Sequence, residues 1–200
     1  MESHTDDRAT TSSQTSNTGE NGKVYDFQID GFRPDWGRGL EDTKARHGPA
    51  LAALLGRRLT RAWVGWQTSG DRWYPYLPVI LDFGGDRAEF MWSHFEAVSV
   101  TWNSVDPTVP PRSKYAQWTH DRHEQLNDLC GQRLWAVDLL EWPSPGTLHA
   151  IGLAFSRTYL AVVDGGDWNR LEFGPPASRY RQFRIASMPR TAELVHRGAG

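Results

Sequence analysis

The chain contains an internal repeat, and this feature constrains its architecture more than any single motif does. Residues 51–59 (LAALLGRRL) reappear as residues 126–134 (LNDLCGQRL), with five of nine positions identical at an offset of 75. A fainter similarity follows, where residues 79–83 (VILDF) match residues 151–155 (IGLAF) at an offset of 72. Because such a repeat marks a structural unit that is used twice, the sequence predicts two similar units. A residue type that both units share is expected to build the fold rather than to carry out chemistry.

Composition limits the compartment and the class of partner. The 200 residues include one cysteine, which excludes an internal disulfide and is typical of a reducing, cytoplasmic compartment. No apolar run approaches the ~18 residues of a membrane span, and the N-terminus lacks the pattern of a signal peptide. The net charge of −2 gives no electrostatic case for nucleic acid as the main partner. We therefore expect a cytoplasmic protein without a membrane or nucleic acid partner.

Each unit is predicted to begin with a helix that ends at a glycine. We expect helices over 49–55 and from Thr119 to Cys130, because Gly56 and Gly131 can take the left-handed conformation that ends a helix. After each glycine the apolar residues alternate with polar ones, and short turns containing glycine or proline follow every ten residues or so, which indicates antiparallel meanders. The predicted strands lie near 58–66, 76–83, 87–92 and 97–102, and near 133–141, 148–155, 158–163 and 169–173.

The predicted fold class is α+β: two tandem repeats, each a helix plus a four-stranded antiparallel meander, packed with pseudo-two-fold symmetry. The N-terminal residues are small and polar, so they cannot bury enough apolar surface to offset the cost of ordering. The expected segments are a disordered tail (1–22), an N-terminal strand and loop (23–48), repeat unit 1 (49–102), a Pro-containing linker (103–118), repeat unit 2 (119–176), and a C-terminal strand and tail (177–200).

A histidine group is the nearest approach to a catalytic or metal site. His120 and His123 would share a face of the second predicted helix, and His94 could join them through the tertiary fold. A metal-dependent hydrolase using these three histidines is therefore one candidate. The segment lacks an HExxH motif and paired cysteines, and the chain shows no nucleophile elbow, phosphate loop or dinucleotide fingerprint. The sequence thus favours no catalytic residue, no metal and no cofactor, and a protein that is not an enzyme.

The aromatic segment 73–76 (WYPY) is where the two units differ most. It follows the first strand of unit 1, whereas unit 2 has Ser-Pro-Gly-Thr at 144–147. Exposed aromatic rings and arginines anchor protein interfaces, although these rings could instead fold back over the sheet. What one unit has and the other lacks is not required by a shared fold. The candidate partner-binding residues are Arg72, Trp73, Tyr74, Tyr76, Arg112 and Trp118.

The pattern Leu-x-Gly-x-Arg-Leu, followed by alternating strands with Leu-x-Phe and a glycine-rich turn, resembles uncharacterised actinobacterial β-rich repeat domains. Some of these are similar to immunity proteins of bacterial toxin systems, and the resemblance covers about residues 50–102 and 125–174. With the missing catalytic set, it implies a non-catalytic protein-binding module, either an immunity-type inhibitor of a toxin or a component of a larger bacterial assembly. The alternatives are the metal-dependent hydrolase and a structural homo-oligomer.

Overall fold

The structure, a computed structural model, describes residues 26–93 and 96–189. Within these residues the chain forms two helices, α1 (Gly39–Ala52) and α2 (Glu124–Asn127), and eleven β-strands. Neither helix of the described residues is long and apolar enough to cross a membrane. The strands are β1 (Trp36–Arg38), β2 (Arg61–Gln67), β3 (Val79–Asp82), β4 (Arg87–Ser93), β5 (Ala97–Trp102), β6 (Ala116–Thr119), β7 (Leu134–Glu141), β8 (Leu148–Phe155), β9 (Tyr159–Asp164), β10 (Asn169–Phe173) and β11 (Arg181–Ser187).

The described strands pair in an antiparallel manner and form two sheets, which confirms the α+β class. The first sheet has the order β1-β5-β4-β3-β2-β6, and the second has the order β10-β9-β8-β7-β11. Strands β2 to β5 therefore form one meander, and β7 to β10 form another. In each sheet a later strand, β6 or β11, pairs with the first strand of the meander. Tight turns connect neighbours: the Asp82 carboxylate accepts the N–H groups of Gly84 and Gly85 at 2.8 Å each.

One hydrophobic core lies between the two sheets. The Phe83 and Phe155 rings stack across it, with centroids 6.5 Å apart and 4° between their planes. Trp92 Nε1 donates to the carbonyl oxygen of Val162 at 3.1 Å, which ties β4 to β9. Burial of such large rings supplies most of the favourable free energy of a core. Leucines from the two helical segments belong to the same cluster: Leu40, Leu51, Leu54, Leu126 and Leu129.

The outer face of the first sheet is covered by the segment 26–36 and by the linker. Ile29 and Phe32 pack there in one cluster with Val105 of the linker. The fully buried carboxylate of Glu89 on β4 accepts the Val105 N–H at 2.8 Å, which offsets part of the cost of burying that charge. The linker is therefore a structural layer over the sheet rather than a detached connection.

A buried carboxylate also joins the last strand to the second sheet. Asp138 on β7 is fully buried and accepts hydrogen bonds from Tyr159 Oη at 3.1 Å and from Gln182 Nε2 at 2.5 Å. Arg184 on β11 forms an ion pair with the same carboxylate. Burial and the adjacent negative charge raise the pKa of Tyr159, so its hydroxyl remains a donor. These contacts hold β11 against β7.

The turns that follow the two helices contact each other reciprocally. Arg58 Nη1 donates to the carbonyl oxygen of Gly131 at 2.6 Å, and Arg133 Nη1 donates to the carbonyl oxygen of Gly56 at 2.5 Å. Arg58 and Arg133 also pair as an isolated antiparallel bridge. The two glycines have φ values of +78° and +85°, a conformation that side-chain-bearing residues rarely adopt. Each turn therefore supplies the carbonyl that the other turn's arginine needs.

The first helix begins ten residues earlier than predicted. It spans Gly39–Ala52. Pro49, the first residue of the predicted helix, lies inside α1 near its end, although proline fits best in the first turn of a helix. The buried face of α1 includes Thr43 and His47 between Leu40 and Leu51. These two polar residues interrupt the apolar stripe by which the helix would have been recognised.

The second predicted helix, Thr119 to Cys130, is shortened to Glu124–Asn127. Thr119 instead belongs to β6 and pairs with Val64 of β2, a partner that is distant in the sequence. Its hydroxyl donates to Asp121 Oδ1 at 2.6 Å, and this local hydrogen bond competes with helix formation. The predicted linker thus ends in a strand.

The N-terminal segment 23–48 also differs from its prediction. Residues 26–29 form no strand, and the strand of this segment lies at Trp36–Arg38, where it pairs with β5. The predicted tail 1–22 lies outside the described residues, as does the end of the predicted C-terminal tail from residue 190. Within segment 177–200, the expected strand is present as β11.

The reciprocal arginines give a first prediction. Arg58→Met or Arg133→Met removes one charge-assisted hydrogen bond to a carbonyl, so each should lower the free energy of unfolding by about 1 kcal/mol in urea denaturation. Arg122→Met is the control, because its exposed ion pair with Asp71 is 3.5 Å long and should contribute less than about 0.5 kcal/mol. An equal decrease in the free energy of unfolding in all three variants would show that the reciprocal hydrogen bonds contribute no more to stability than an exposed ion pair.

A second prediction concerns pH. His47 is only 4% exposed, and its burial lowers the pKa of its imidazole, while the charges of Asp35 and Asp42 act in the opposite direction. Because the unfolded chain then takes up the proton first, the stability is complete above pH ~6.5 and decreases as the pH falls through the folded-state value. The pKa values of His123 and His149 are also lowered by burial, but both residues remain in a His47→Gln variant.

The measurement is urea denaturation at about pH 7.5 and about pH 5, which bracket the ordinary histidine pKa. The wild-type protein should lose more stability between these two values than His47→Gln does. Parallel losses in the two proteins would contradict a contribution from His47.

Candidate functional site

The aromatic segment 73–76 connects β2 to β3 and folds back across β2. The Tyr74 N–H donates to the carbonyl oxygen of Gly65 at 2.9 Å, and Trp73 pairs with Trp66 as an isolated bridge. A Cβ atom at Gly65 would lie 2.9 Å from the Tyr74 carbonyl oxygen. Glycine is therefore required there for the segment to approach the strand so closely.

The predicted aromatic residues divide between the interior and the surface. Trp73 is half-buried against the core between the sheets, and its Nε1 is buried with no hydrogen-bond partner among the described residues. Tyr74 and Trp118 are also half-buried and pack against the cluster on the outer face of the first sheet. Tyr76 is different, because 45% of it is exposed.

Tyr76 lies beside an exposed tryptophan from the second sheet. Its ring centroid is 5.9 Å from that of Trp168, which is 40% exposed, and the ring planes meet at 63°. The Tyr74 ring lies on the other side of Tyr76, with a centroid distance of 5.3 Å. We call Tyr74, Tyr76 and Trp168 the aromatic surface. It combines rings from the β2–β3 connection and from the β9–β10 turn.

A buried asparagine holds the two parts of this surface together. Asn169, which is fully buried, donates its backbone N–H to the Pro75 carbonyl at 3.1 Å and its side-chain Nδ2 to the Leu77 carbonyl at 2.9 Å. Its Oδ1 accepts the backbone N–H of Trp92 at 3.1 Å. The backbone on both sides of Tyr76 is therefore fixed to the strand that follows Trp168, which holds these two exposed residues beside each other.

The Trp168 ring packs against the backbone of Gly165. A Cβ atom on Gly165 would lie 2.4 Å from Trp168 Nε1, so the indole rests directly on the glycine backbone. The two residues also share a hydrogen bond in the β9–β10 turn, from the Gly165 N–H to the Trp168 carbonyl at 2.9 Å. The position of Trp168 thus depends on the absence of a side chain at residue 165.

The two predicted arginines, Arg72 and Arg112, both contact residues of the same chain. Arg72 Nε donates to Gln67 Oε1 at 2.7 Å, across the β2–β3 connection. Arg112 pairs with Asp26 and Asp30 at 3.0 Å each, and so fastens the linker to the N-terminal segment. Of the six candidates, Tyr74 and Tyr76 are the two that join the aromatic surface.

The structure separates the two described histidines of the metal candidate. The exposed His120 ring contacts Trp63, with centroids 4.6 Å apart, whereas the half-buried His123 ring lies between Trp73 and Phe173. Burial lowers the pKa of His123. His94 lies outside the described residues. Among the residues that are described, no group of three His, Cys, Asp or Glu side chains could hold a metal ion.

Sequence reasoning missed Asn169 and did not connect Trp168 with Tyr76. Trp168 could be recognised as an aromatic residue beside the Gly165-Gly-Asp turn, but its neighbour is 92 positions earlier in the chain. Asn169 follows a turn, where asparagine is ordinarily expected to serve local backbone geometry. Its long-range role could be found only from the packing of the two sheets.

Comparisons of the chain with models of known protein families, with curated proteins and with solved structures find no match. The resemblance to actinobacterial β-rich domains and immunity proteins therefore stays a prediction. Function must be argued from the geometry of this chain.

The contact between Gly165 and Trp168 gives a third prediction. Gly165→Ala should displace the Trp168 indole, because its Cβ would occupy the space of Nε1. The expected result is a shift of the Trp168 indole N–H resonance in a ¹H–¹⁵N NMR spectrum, assigned with Trp168→Phe. Gly48→Ala is the matched control, since a Cβ there meets its nearest atoms at 3.8 Å and should leave that resonance in place. An unmoved Trp168 resonance in Gly165→Ala would refute the contact.

Proposed function

We propose that this chain is a non-catalytic protein-binding module whose contact surface is the aromatic surface of Tyr74, Tyr76 and Trp168. The observation that carries the proposal is that Tyr76 and Trp168 are exposed and yet fixed by the buried Asn169. Large aromatic rings that remain exposed and already ordered bind a partner with little further loss of conformational entropy. Trp73, by contrast, acts as a core residue that orients the segment.

We further propose that the architecture is a tandem duplication with pseudo-two-fold symmetry. The support comes from the reciprocal contacts of Arg58 and Arg133 and from the pairing order that five strands of the first sheet, without β1, share with the second sheet. Leu55 and Cys130, which are equivalent in the repeat, are both partly buried against the shared core. Burial also raises the pKa of the Cys130 thiol, which favours a packing role over a nucleophilic one.

The class of partner that we propose is a protein inside the cytoplasm, either a toxin neutralised by an immunity-type inhibitor or a subunit of a larger bacterial assembly. A single cysteine and the absence of a long apolar run support that compartment. Two of the three rings of the aromatic surface, Tyr74 and Tyr76, lie in the β2–β3 connection, where the two units differ in sequence, so the shared fold does not require them.

The fourth prediction tests this function by co-purification of the tagged chain from its native host at native expression levels. Tyr76→Ser/Trp168→Ser should abolish capture of the partner, because it removes the two exposed rings while leaving the inward Trp73 in place. Tyr115→Ser is the matched control, since Tyr115 is 59% exposed but lies outside the aromatic surface, and it should retain the partner.

Two results would contradict the proposal: no partner at native levels, or equal capture by the double variant and by the wild-type protein. Light scattering at several concentrations separates the homo-oligomer alternative, in which the partner is a second copy of the chain. A monomer at all concentrations excludes self-association as the source of any captured material.

A further inference from the structure

A concave site lies at one end of the second sheet. It is a cleft of about 430 Å³, which is within the range of sites that hold small ligands or single side chains. We call it the Trp142 cleft. It is lined by Trp142, His149, Asp164, Gly165, Arg170 and Arg179.

One wall of the cleft is aromatic. Trp142 is 39% exposed, and its ring lies 5.0 Å from the His149 ring, with 65° between the planes. The opposite side of His149 faces Tyr180, whose ring centroid is 5.8 Å away. Burial lowers the pKa of His149, so this wall is uncharged at neutral pH. An exposed indole supported in this way offers a flat apolar surface for a planar group.

The other wall is made by two guanidinium groups that share one carboxylate. Glu172 Oε1 forms an ion pair with Arg170 Nη2 at 3.0 Å and accepts a hydrogen bond from Arg179 Nη2 at 2.7 Å. Its second oxygen accepts the Tyr180 hydroxyl at 3.1 Å. Arg179 Nη2 also donates to Tyr180 Oη at 3.0 Å, and its guanidinium lies over the Tyr180 ring, 4.7 Å from the centroid. Each guanidinium has five N–H donors, so Glu172 and Tyr180 engage only a minority of them. The donors that remain suit an oxyanion.

The remaining carboxylate of the cleft is already committed to the backbone. Asp164 accepts the N–H of Gly166 at 2.8 Å through one oxygen and the N–H of Glu96 at 3.0 Å through the other. Both Asp164 oxygens thus already serve the turn, and the two guanidinium groups are the groups of the cleft that suit a carboxylate ligand.

We infer that the Trp142 cleft binds an organic carboxylate carried on a planar apolar group, with the ring against Trp142 and the carboxylate at Arg170 and Arg179. Such a group could belong to a free organic acid or to an acidic residue beside an aromatic one in a protein. Both sources present the same chemistry to the cleft. The inference does not rest on the proposed protein-binding function, because none of the described residues that line the cleft belongs to the aromatic surface, although the Trp168 ring lies on Gly165.

The fifth prediction uses phenylacetate as the probe and isothermal titration calorimetry as the measurement. Phenylacetate should bind saturably, and phenylacetamide, acetate and phenethylammonium should each bind at least about tenfold more weakly, since each lacks the charge, the ring or the correct sign. A capped dipeptide, N-acetyl-Phe-Glu-amide, distinguishes the two sources. Tighter binding of the dipeptide than of phenylacetate assigns the cleft to a protein side chain, and the reverse assigns it to a free acid.

Variants tie the binding to the named groups. Arg179→Gln and Trp142→Ala should each weaken phenylacetate binding by about tenfold, the equivalent of one good hydrogen bond or ring contact. Arg181→Gln is the matched control, because Arg181 also has an acidic partner, Glu141, and also lies over an aromatic ring, Phe183, but is not part of the cleft.

Two outcomes would overturn the inference: equal affinity for phenylacetate and phenylacetamide, or equal affinity of Arg179→Gln and Arg181→Gln. Arg170→Gln repeats the test on the second guanidinium if Arg179→Gln fails to fold. Either negative result leaves the co-purification experiment unaffected, since that experiment depends on Tyr76 and Trp168.

Discussion

The reciprocal contact between the turns at 56–58 and 131–133 is the constraint on which the rest of the structure depends. Each glycine ends a helical segment in a left-handed conformation and turns its carbonyl toward the arginine of the other turn. Backbone hydrogen bonds also join the two turns. The Gly56 N–H donates to the Leu134 carbonyl at 2.8 Å, and the Gly131 N–H donates to the Leu59 carbonyl at 2.7 Å. Since β2 and β7 follow these turns, the reciprocal contact fixes how the two sheets face each other. The core and the meeting of Tyr76 with Trp168 follow from it.

Most strands could be predicted because their signal is local. The bounds of β5, β8 and β10 agree with those predicted from the alternation of apolar residues between short turns. The helices were predicted less well because their local apolar pattern is incomplete. Thr43 and His47 occupy the buried face of α1, so the apolar stripe that marks an amphipathic helix is interrupted over its first three turns. Strand β6 was missed because its pairing partner β2 lies about 50 residues earlier, beyond the reach of a local pattern.

The candidate site could be located from the sequence but not resolved into inward and outward rings. The difference between segments 73–76 and 144–147 indicated the β2–β3 connection as the candidate. Which ring faces outward is decided by the close approach of Tyr74 to Gly65 and by the anchoring of Pro75 on Asn169. These are contacts across the fold, and residue types alone do not show them. The same holds for Arg112, whose ion pairs with Asp26 and Asp30 make it part of the covering layer.

The proposed Trp142 cleft lies on the second sheet, and the outer faces of the two sheets are covered differently. On the first sheet, the segment 26–36 and the linker bury the outer face, and Ile29 and Val105 fill it. On the second sheet, the described residues that cover the outer face include Ala177 and Tyr180, from the short segment before β11. Tyr180 does not extend over Trp142, whose indole stays exposed beside the cleft. Trp142 therefore stays exposed on the sheet whose outer face, among the described residues, is covered by a short segment.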